Sequence, residues 1–301
     1  MDEIRYITRF EDDFPEKLRF IPNPPAGIYV KGRLPDPGKK TVSIVGARAC
    51  SVYGRYMAEY FASHLAAAGV QIVSGLAKGI DGIAQRSAME AGGVSFGILG
   101  SGVDVVYPVE NRDLFEMAVT NGGLISEYPE GATPQKAYFA ERNRLISGLS
   151  DILLVIEARY RSGTSITVHN ALDQGRDIFA VPGRLTDGLS AGCNKLISDG
   201  AGMALCPDDI LKALGLLSED AVVTETGKRR KNTEKPGTVK RIRLSEKEKL
   251  VYGCLDLYPK NVDEIVRTLH IPVSHATETL TALCIKGAAR ECAKSNYIKV
   301  L

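Results

Sequence analysis

The residues best placed to do chemistry form short runs of glycine, small polar residues and cations, each set just after an apolar stretch. The first run is Gly46-Ala47-Arg48-Ala49-Cys50-Ser51, leading into Val52-Tyr53-Gly54. A glycine-bearing turn that feeds a helix presents free backbone N–H groups and the positive end of the helix dipole, which suits an anion. Ser74-Gly75-Leu76-Ala77-Lys78-Gly79-Ile80-Asp81 repeats the pattern, and Gly100-Ser101-Gly102 repeats it again. Any one of these read alone is ordinary turn geometry. Three together, with Arg48 among them, predict one broad crevice for a polyanion. An arginine at position 48 would crowd a pyrophosphate lying along the backbone, but it can reach out to a separate phosphate chain. The dinucleotide turn GxGxxG is not met, and the second apolar run ends at Ser74-Gly75 rather than at a carboxylate for a ribose.

Further along, Gln135-Lys136-Ala137-Tyr138-Phe139-Ala140-Glu141-Arg142-Asn143-Arg144 interleaves cations with aromatic rings. Aromatic faces stack unpaired bases while cations hold phosphates, so this pattern fits single-stranded nucleic acid. Phe139 reads equally well as a core residue, and Arg142 and Arg144 as structural ion pairs. Helical spacing sends the two arginines to different sides, so one of them is expected to be structural. Ser162-Gly163-Thr164 opens another helix with a phosphate-type turn. Asn194 and Lys195 lie at a helix start near the same sheet edge, although a surface lysine is the plainer reading of Lys195. Other chemistries lack their residues. There is no GxxxxGK[ST] loop, no Ser/His/Asp or Cys/His set, and no paired carboxylates. The six cysteines form no CxxC pair and the four histidines are scattered, so neither a zinc site nor a disulfide framework is expected.

These runs need elements to position them. Val42–Val45, Gln71–Ser74, Val94–Leu99, Gly123–Ser126, Ile152–Ile156, Ile178–Val181 and Gly202–Leu205 are short, apolar and without polar alternation. Strands covered on both faces read this way. Amphipathic stretches separate them: Tyr53 to Leu65, Ile80–Ala91, Arg112–Thr120, Ala137–Leu149 and Thr164–Gln174. Strand and helix in repeated alternation predict an α/β fold, a Rossmann-like, doubly wound and mostly parallel sheet over residues 41–217. Residues 1–40 are marked by Pro15, Pro22, Pro24, Pro25, Pro35 and Pro37, and read as an N-terminal extension packing on this domain. Residues 218–243 read as a flexible basic linker, either a plain tether or a DNA contact: from Lys228 to Arg243 there are eight basic residues against the single acid Glu234. Residues 244–301 suggest three short helices and a hairpin, a small winged-helix domain. Ser245 and Glu248 make a capping box for the first helix. The third carries Ala276, Leu280, Leu283 and Ile285 on one face but no Arg or Lys between Val273 and Leu280, so a protein-contacting role is as reasonable as DNA contact.

At 301 residues, with 44% hydrophobic and 25% charged residues, the composition is that of a folded protein of two or three domains. A formal net charge of +2 does not by itself predict nucleic-acid binding, which has to come from where the cations sit. The opening MDEIRYITRF has no signal-peptide core, and no apolar run approaches the roughly 18 residues that span a bilayer. A soluble cytoplasmic protein that needs no membrane and no cofactor is expected.

Seven blocks in order then carry a resemblance: Gly-Ala-Arg…Tyr-Gly (46–54), Ser-Gly-Leu-Ala-x-Gly-Ile-Asp (74–81), Gly-x-Gly-x-Asp-x-x-Tyr-Pro (100–108), Ser-Glu-Tyr-Pro (126–129), Phe-x-x-Arg-Asn-Arg-x-Ile (139–146), Glu-Ala-x-x-x-Ser-Gly-Thr (157–164) and Phe-Ala-Val-Pro-Gly (179–183). The chain resembles the DprA/Smf family (DNA-processing protein A, a DNA recombination mediator) through most of its central domain. The resemblance implies a homodimer, not an enzyme, that binds single-stranded DNA along the glycine-lined sheet edge, protects it and helps load the RecA recombinase in natural transformation. It also implies that Arg48 and Lys136 contact phosphates and that Phe139 stacks a base, with Arg142-Asn143-Arg144 and Ser162-Gly163-Thr164 lining the pocket. The remaining expected contacts are Gly46, Ser51, Gly75, Lys78, Gly79, Gly100, Ser101, Gly102, Asn194 and Lys195. Gln85 departs from the family, whose members usually have histidine there. Two other functions use the same turns. A nucleotide phosphoribohydrolase would need a glutamate where Thr167 stands, and threonine cannot serve as acid or base. A small-nucleotide-binding protein would need only the crevice.

Overall fold

The computed structural model describes residues 3–217, 244–293 and 295–300. The chain divides into two compact units, with the division between Ala221 and Val222. The basic linker expected over 218–243 lies outside the described residues.

In the first unit the elements follow as β1 (Ile4–Thr8), α1 (Glu16–Arg19), β2 (Gly27–Gly32), β3 (Thr41–Val45), α2 (Val52–Ala67), β4 (Gln71–Ser74), α3 (Ile80–Glu90), β5 (Ser95–Ile98), α4 (Arg112–Asn121), β6 (Gly122–Ser126), α5 (Lys136–Gly148), β7 (Ile152–Val155), α6 (Thr164–Asp173), β8 (Asp177–Ala180), α7 (Ala191–Ser198), β9 (Gly202–Met203) and α8 (Pro207–Ala213). The strands form a nine-stranded sheet in the order β1-β2-β6-β5-β4-β3-β7-β8-β9. From β6 to β9 every neighbouring pair is parallel. The seven apolar runs predicted as strands are these seven parallel strands. They are apolar because both faces are buried. Val42 and Ile44 pack with Phe61 and Leu65 of α2 on one face, while Val45 packs with Leu145 of α5 on the other. Polar side chains inside the sheet are satisfied by backbone: Ser43 Oγ donates to Ile146 O at 2.6 Å and Ser74 Oγ to Ile44 O at 2.6 Å.

The proline-marked residues 4–32 supply two further strands. β1 pairs antiparallel with β2, and β2 pairs antiparallel with β6, so this segment extends the sheet. Phe14, Leu18, Ile21, Ile28 and Val30 join the same core as α5.

The second unit comprises α9 (Glu246–Cys254), β10 (Lys260–Asn261), α10 (Val262–Leu269), α11 (Val273–Ile285), β11 (Ala289–Ala293) and β12 (Asn296–Lys299). Its three strands form an antiparallel sheet in the order β10-β12-β11. The capping box is present: Ser245 Oγ accepts the Glu248 N–H at 3.3 Å and Glu248 Oε2 accepts the Ser245 N–H at 2.7 Å. Ala276, Leu280 and Leu283 are buried with Val251 and Ile265, but Ile285, expected on the same face, is exposed at the end of α11.

Candidate nucleic-acid interface

Connections run outward from β3 through β4 and β5 to β6 and then return to β7, so the β3/β7 pair is the switch point of the sheet. Ligands of open α/β sheets bind beyond the strand C-termini at such a point. Here it opens into a crevice of about 440 Å³. Gly46 to Arg48 enter it from the end of β3, Lys136, Phe139, Arg142 and Asn143 from α5, and Ser162 to Thr164 from the turn into α6. Nine of the expected contacts therefore converge. Arg48 and Lys136 are exposed and form no ion pair among the described residues. The Arg48 guanidinium lies 5.6 Å from the centroid of the half-buried Phe139 ring. Gly100 sits beneath this ring: a Cβ there would come within 2.9 Å of Phe139 Cδ1, so glycine makes room for the aromatic.

Arg142 proves to be structural. It is 4% exposed, and its Nη1 donates to Gly75 O at 3.1 Å and to Ile98 O, tying the ends of β4 and β5 to α5. Its Nε donates to Asn143 Oδ1 at 3.2 Å. Burial lowers its pKa to about 10, and the nearby Asp81 opposes that shift. Asp81 is itself pushed up by burial and held down in turn by Arg142, while its Oδ2 accepts the Gly75 N–H at 3.2 Å. Arg144 is engaged as well, by Glu127 Oε1 at 2.7 Å, with both side chains mostly buried. The expectation that only one of these arginines would be structural is therefore corrected.

A second correction concerns the turn into α2. Glu157, 1% exposed at the end of β7, reaches the α2 N-terminus. Its Oε2 accepts the Ser51 N–H at 2.8 Å and its Oε1 accepts the Ser51 hydroxyl at 2.5 Å, while Ser51 Oγ accepts the Gly54 N–H at 3.0 Å. A protein carboxylate thus occupies the anion position that the sequence suggested for a phosphate. Only two of the three glycine turns meet in the crevice: Ala77 and Asp81 of the second line it beside Gly46 to Arg48, while Gly100-Ser101-Gly102 does not. Gly79, at φ 79°, packs directly on the carbonyls of Ala47 and Arg48, where a Cβ would collide. Lys78 faces an adjoining groove, which shares Ala77 with the crevice, beside Arg55 and Arg86, and pairs with Glu110 at 2.6 Å. Gly75, Ser101 and Gly102 also lie off the crevice lining. Ser101 is buried and its carbonyl accepts the Ser126 hydroxyl at 2.6 Å, while the Gly102 N–H donates to Ala132 O at 2.9 Å. Asn194 spends its amide on the Gly183 backbone at 3.1 and 3.0 Å, and Lys195 pairs with Asp199 at 2.5 Å.

The structure adds residues that the sequence did not single out as contacts. Tyr107, substantially exposed, stacks on Phe139 with centroids 5.5 Å apart and planes at 30°. Its Tyr-Pro signal was visible, but its place beside α5 depends on the long connection after β5. Tyr138, counted among the interleaved aromatics, is stacked instead on Tyr128 at 3.8 Å. Ile166 and the buried Thr167 complete the wall, and Thr167 stands where a phosphoribohydrolase would carry its glutamate. Among the described residues there is no cluster of side chains suited to a metal ion, and no helix is long and apolar enough to cross a membrane.

These features define an open α/β protein with a mostly parallel sheet and a crevice at its switch point, lined by two exposed cations and a half-buried aromatic. The family model for DNA recombination-mediator protein A matches residues 5–215, and the chain belongs to that family. It is 41% identical to DNA processing protein DprA of Streptococcus pneumoniae over 67% of this chain and 71% of that protein. It is 40% identical to protein Smf of Escherichia coli over 67% of this chain and 54% of the other. The X-ray structure of DNA processing protein A from Streptococcus pneumoniae superposes with a TM-score of 0.67 at 38% identity, covering 70% of this chain and 74% of that one. A structure of the Helicobacter pylori protein, described for its single-stranded DNA binding mode, superposes with a TM-score of 0.62 at 29% identity over 71% of this chain and 98% of that one.

Proposed function

We propose that this chain binds single-stranded DNA in the switch-point crevice and acts as a recombination mediator rather than an enzyme. One observation carries the reading: Arg48 and Lys136 stand exposed and unpaired among the described residues beside the half-exposed ring of Phe139. The cations hold phosphates and the ring stacks a base, which recognises any unpaired strand whatever its sequence. Gly46, Asn143, Ser162, Gly163 and Thr164 line the path, while Arg142 holds its floor. Kinship with the Helicobacter pylori protein, whose single-stranded DNA binding mode has been described, supports the choice of ligand. In the fuller reading the protein works in the cytoplasm as a homodimer, protects incoming single strands and helps load RecA during natural transformation. The second unit, three helices and an antiparallel sheet, we read as a winged-helix-like module. Its third helix, Val273–Ile285, has no Arg or Lys to read bases, so a protein partner is as reasonable there as DNA contact.

The test is fluorescence anisotropy with a labelled oligothymidine and a matched duplex at two salt concentrations. A salt-sensitive preference for the single strand supports the proposal. Equal binding to both, or none, overturns it and leaves a small-nucleotide ligand for the crevice.

A further inference from the structure

Beyond Ser162 and Thr164, which line both, the crevice continues into a second depression of about 380 Å³. Its rim carries Arg159, Tyr160, Arg161 and Lys195, and its floor is formed by Val168 and Leu196. Three cations and no carboxylate are among its lining residues. Lys195 is held by Asp199 at 2.5 Å, but Arg159 and Arg161 are exposed and form no ion pair among the described residues. Tyr160 is 58% exposed, and the Arg161 guanidinium lies 5.5 Å from its ring centroid. Arg161 adopts φ 57°, a left-handed conformation that side-chain-bearing residues seldom take without a reason. That turn sets a cation against an exposed ring at the mouth of a basic, apolar-floored hollow. The same elements make the crevice a candidate site: unpaired cations, a half-buried aromatic ring and an apolar wall.

We propose that this depression is a second subsite for the same strand. Tyr160 stacks a base of the nucleotide that follows those in the crevice, and Arg159 and Arg161 hold the phosphates flanking it. Ser162 and Thr164 lie at the passage between the two subsites. The inference rests on the crevice reading and lengthens the track it implies.

The experiment titrates the full chain against a labelled oligothymidine long enough to cross both subsites, using wild type, Lys136→Ala, Tyr160→Ala, Tyr160→Phe and Arg159→Ala/Arg161→Ala. Tyr160→Ala should weaken binding about tenfold, and Tyr160→Phe, which keeps the stacking face, should stay within about twofold of wild type. The double arginine variant should lower the slope of log affinity against log salt by about 1.4, two phosphate contacts at about 0.7 each. Thermal midpoints should be unchanged, because all three side chains are exposed. If Tyr160→Ala binds like wild type while Lys136→Ala is weakened, the crevice stands and the second subsite falls. Tyr160→Phe weakened as much as Tyr160→Ala would also overturn it, since the ring face would then not be the contact. If wild type fails to bind at all, both readings fall together.

Discussion

Two helix starts flank the switch point of the sheet, and they differ in one respect. The α2 start, after β3, is closed: Ser51 caps it and the Glu157 carboxylate fills the anion position. The α6 start, after β7, is open: Gly163 offers no side-chain cap, the first turn holds no acid, and Ser162 to Thr164 line the crevice. Both read in sequence as a glycine turn feeding a helix. What separates them is a carboxylate reaching back to Ser51 from 106 residues further along the chain. A helix N-terminus becomes a ligand site only where the fold has not already supplied its anion.

The strongest way to break this comparison is to remove the floor of the crevice that the open helix start lines. Arg142→Ala would strip the donor from Gly75 O and Ile98 O, two buried backbone carbonyls at the ends of β4 and β5. Each buried carbonyl left without its donor costs about 1–3 kcal/mol, read as a fall in urea or thermal midpoint. A stable Arg142→Ala protein that loses only DNA binding would return Arg142 to the ligand-contacting set. Glu157→Ala comes next. Without the carboxylate the Ser51 N–H and hydroxyl lose their acceptor, at a cost of about 1–3 kcal/mol in stability. If the midpoint does not move, Glu157 is not closing α2 and the two helix starts are alike.

Legibility followed the range of the forces involved. The seven parallel strands show in sequence because burial on both faces demands continuous apolar runs such as Ile152–Val155. β1 and β2 were hidden. β1 exposes Arg5 and Tyr6, and the prolines between the two strands look like loop, so their pairing with β6 comes from tertiary contact. The same division runs through the site. Lys136 and Phe139 were visible because their spacing is local to one helix. The burial of Arg142 and the closing of α2 by Glu157 were not, since both depend on backbone or side chains brought from distant strands. Tyr107 was missed for the same reason.

Binding variants test the open side of the comparison. Phe139→Ala should cost about 1–3 kcal/mol of single-strand affinity if the ring stacks a base. A drop in thermal midpoint with binding intact would make the ring part of the packing around Gly100 instead. Lys136→Ala has a smaller effect of a different kind. It should weaken every sequence alike and lower the salt slope by about 0.7, the counterion release of one single-strand phosphate contact.

Lys78→Ala should do least, and that makes it the sharper control. Lys78 follows the Ser-Gly-Leu-Ala run and, like Lys136, is among the contacts expected from the sequence. Both side chains are exposed, so burial cannot separate them. Position and pairing do: Lys78 lines the groove beside Arg55 and Arg86, not the crevice, and Glu110 holds it at 2.6 Å. An exposed pair of this kind contributes little, so its loss should change single-strand affinity by less than about twofold and leave the salt slope where it is. A slope that falls as far as in Lys136→Ala would mean that the strand runs over the α3 side of the sheet edge too. The crevice would then be one part of a wider track, and the closed α2 start would lie beneath bound DNA rather than apart from it.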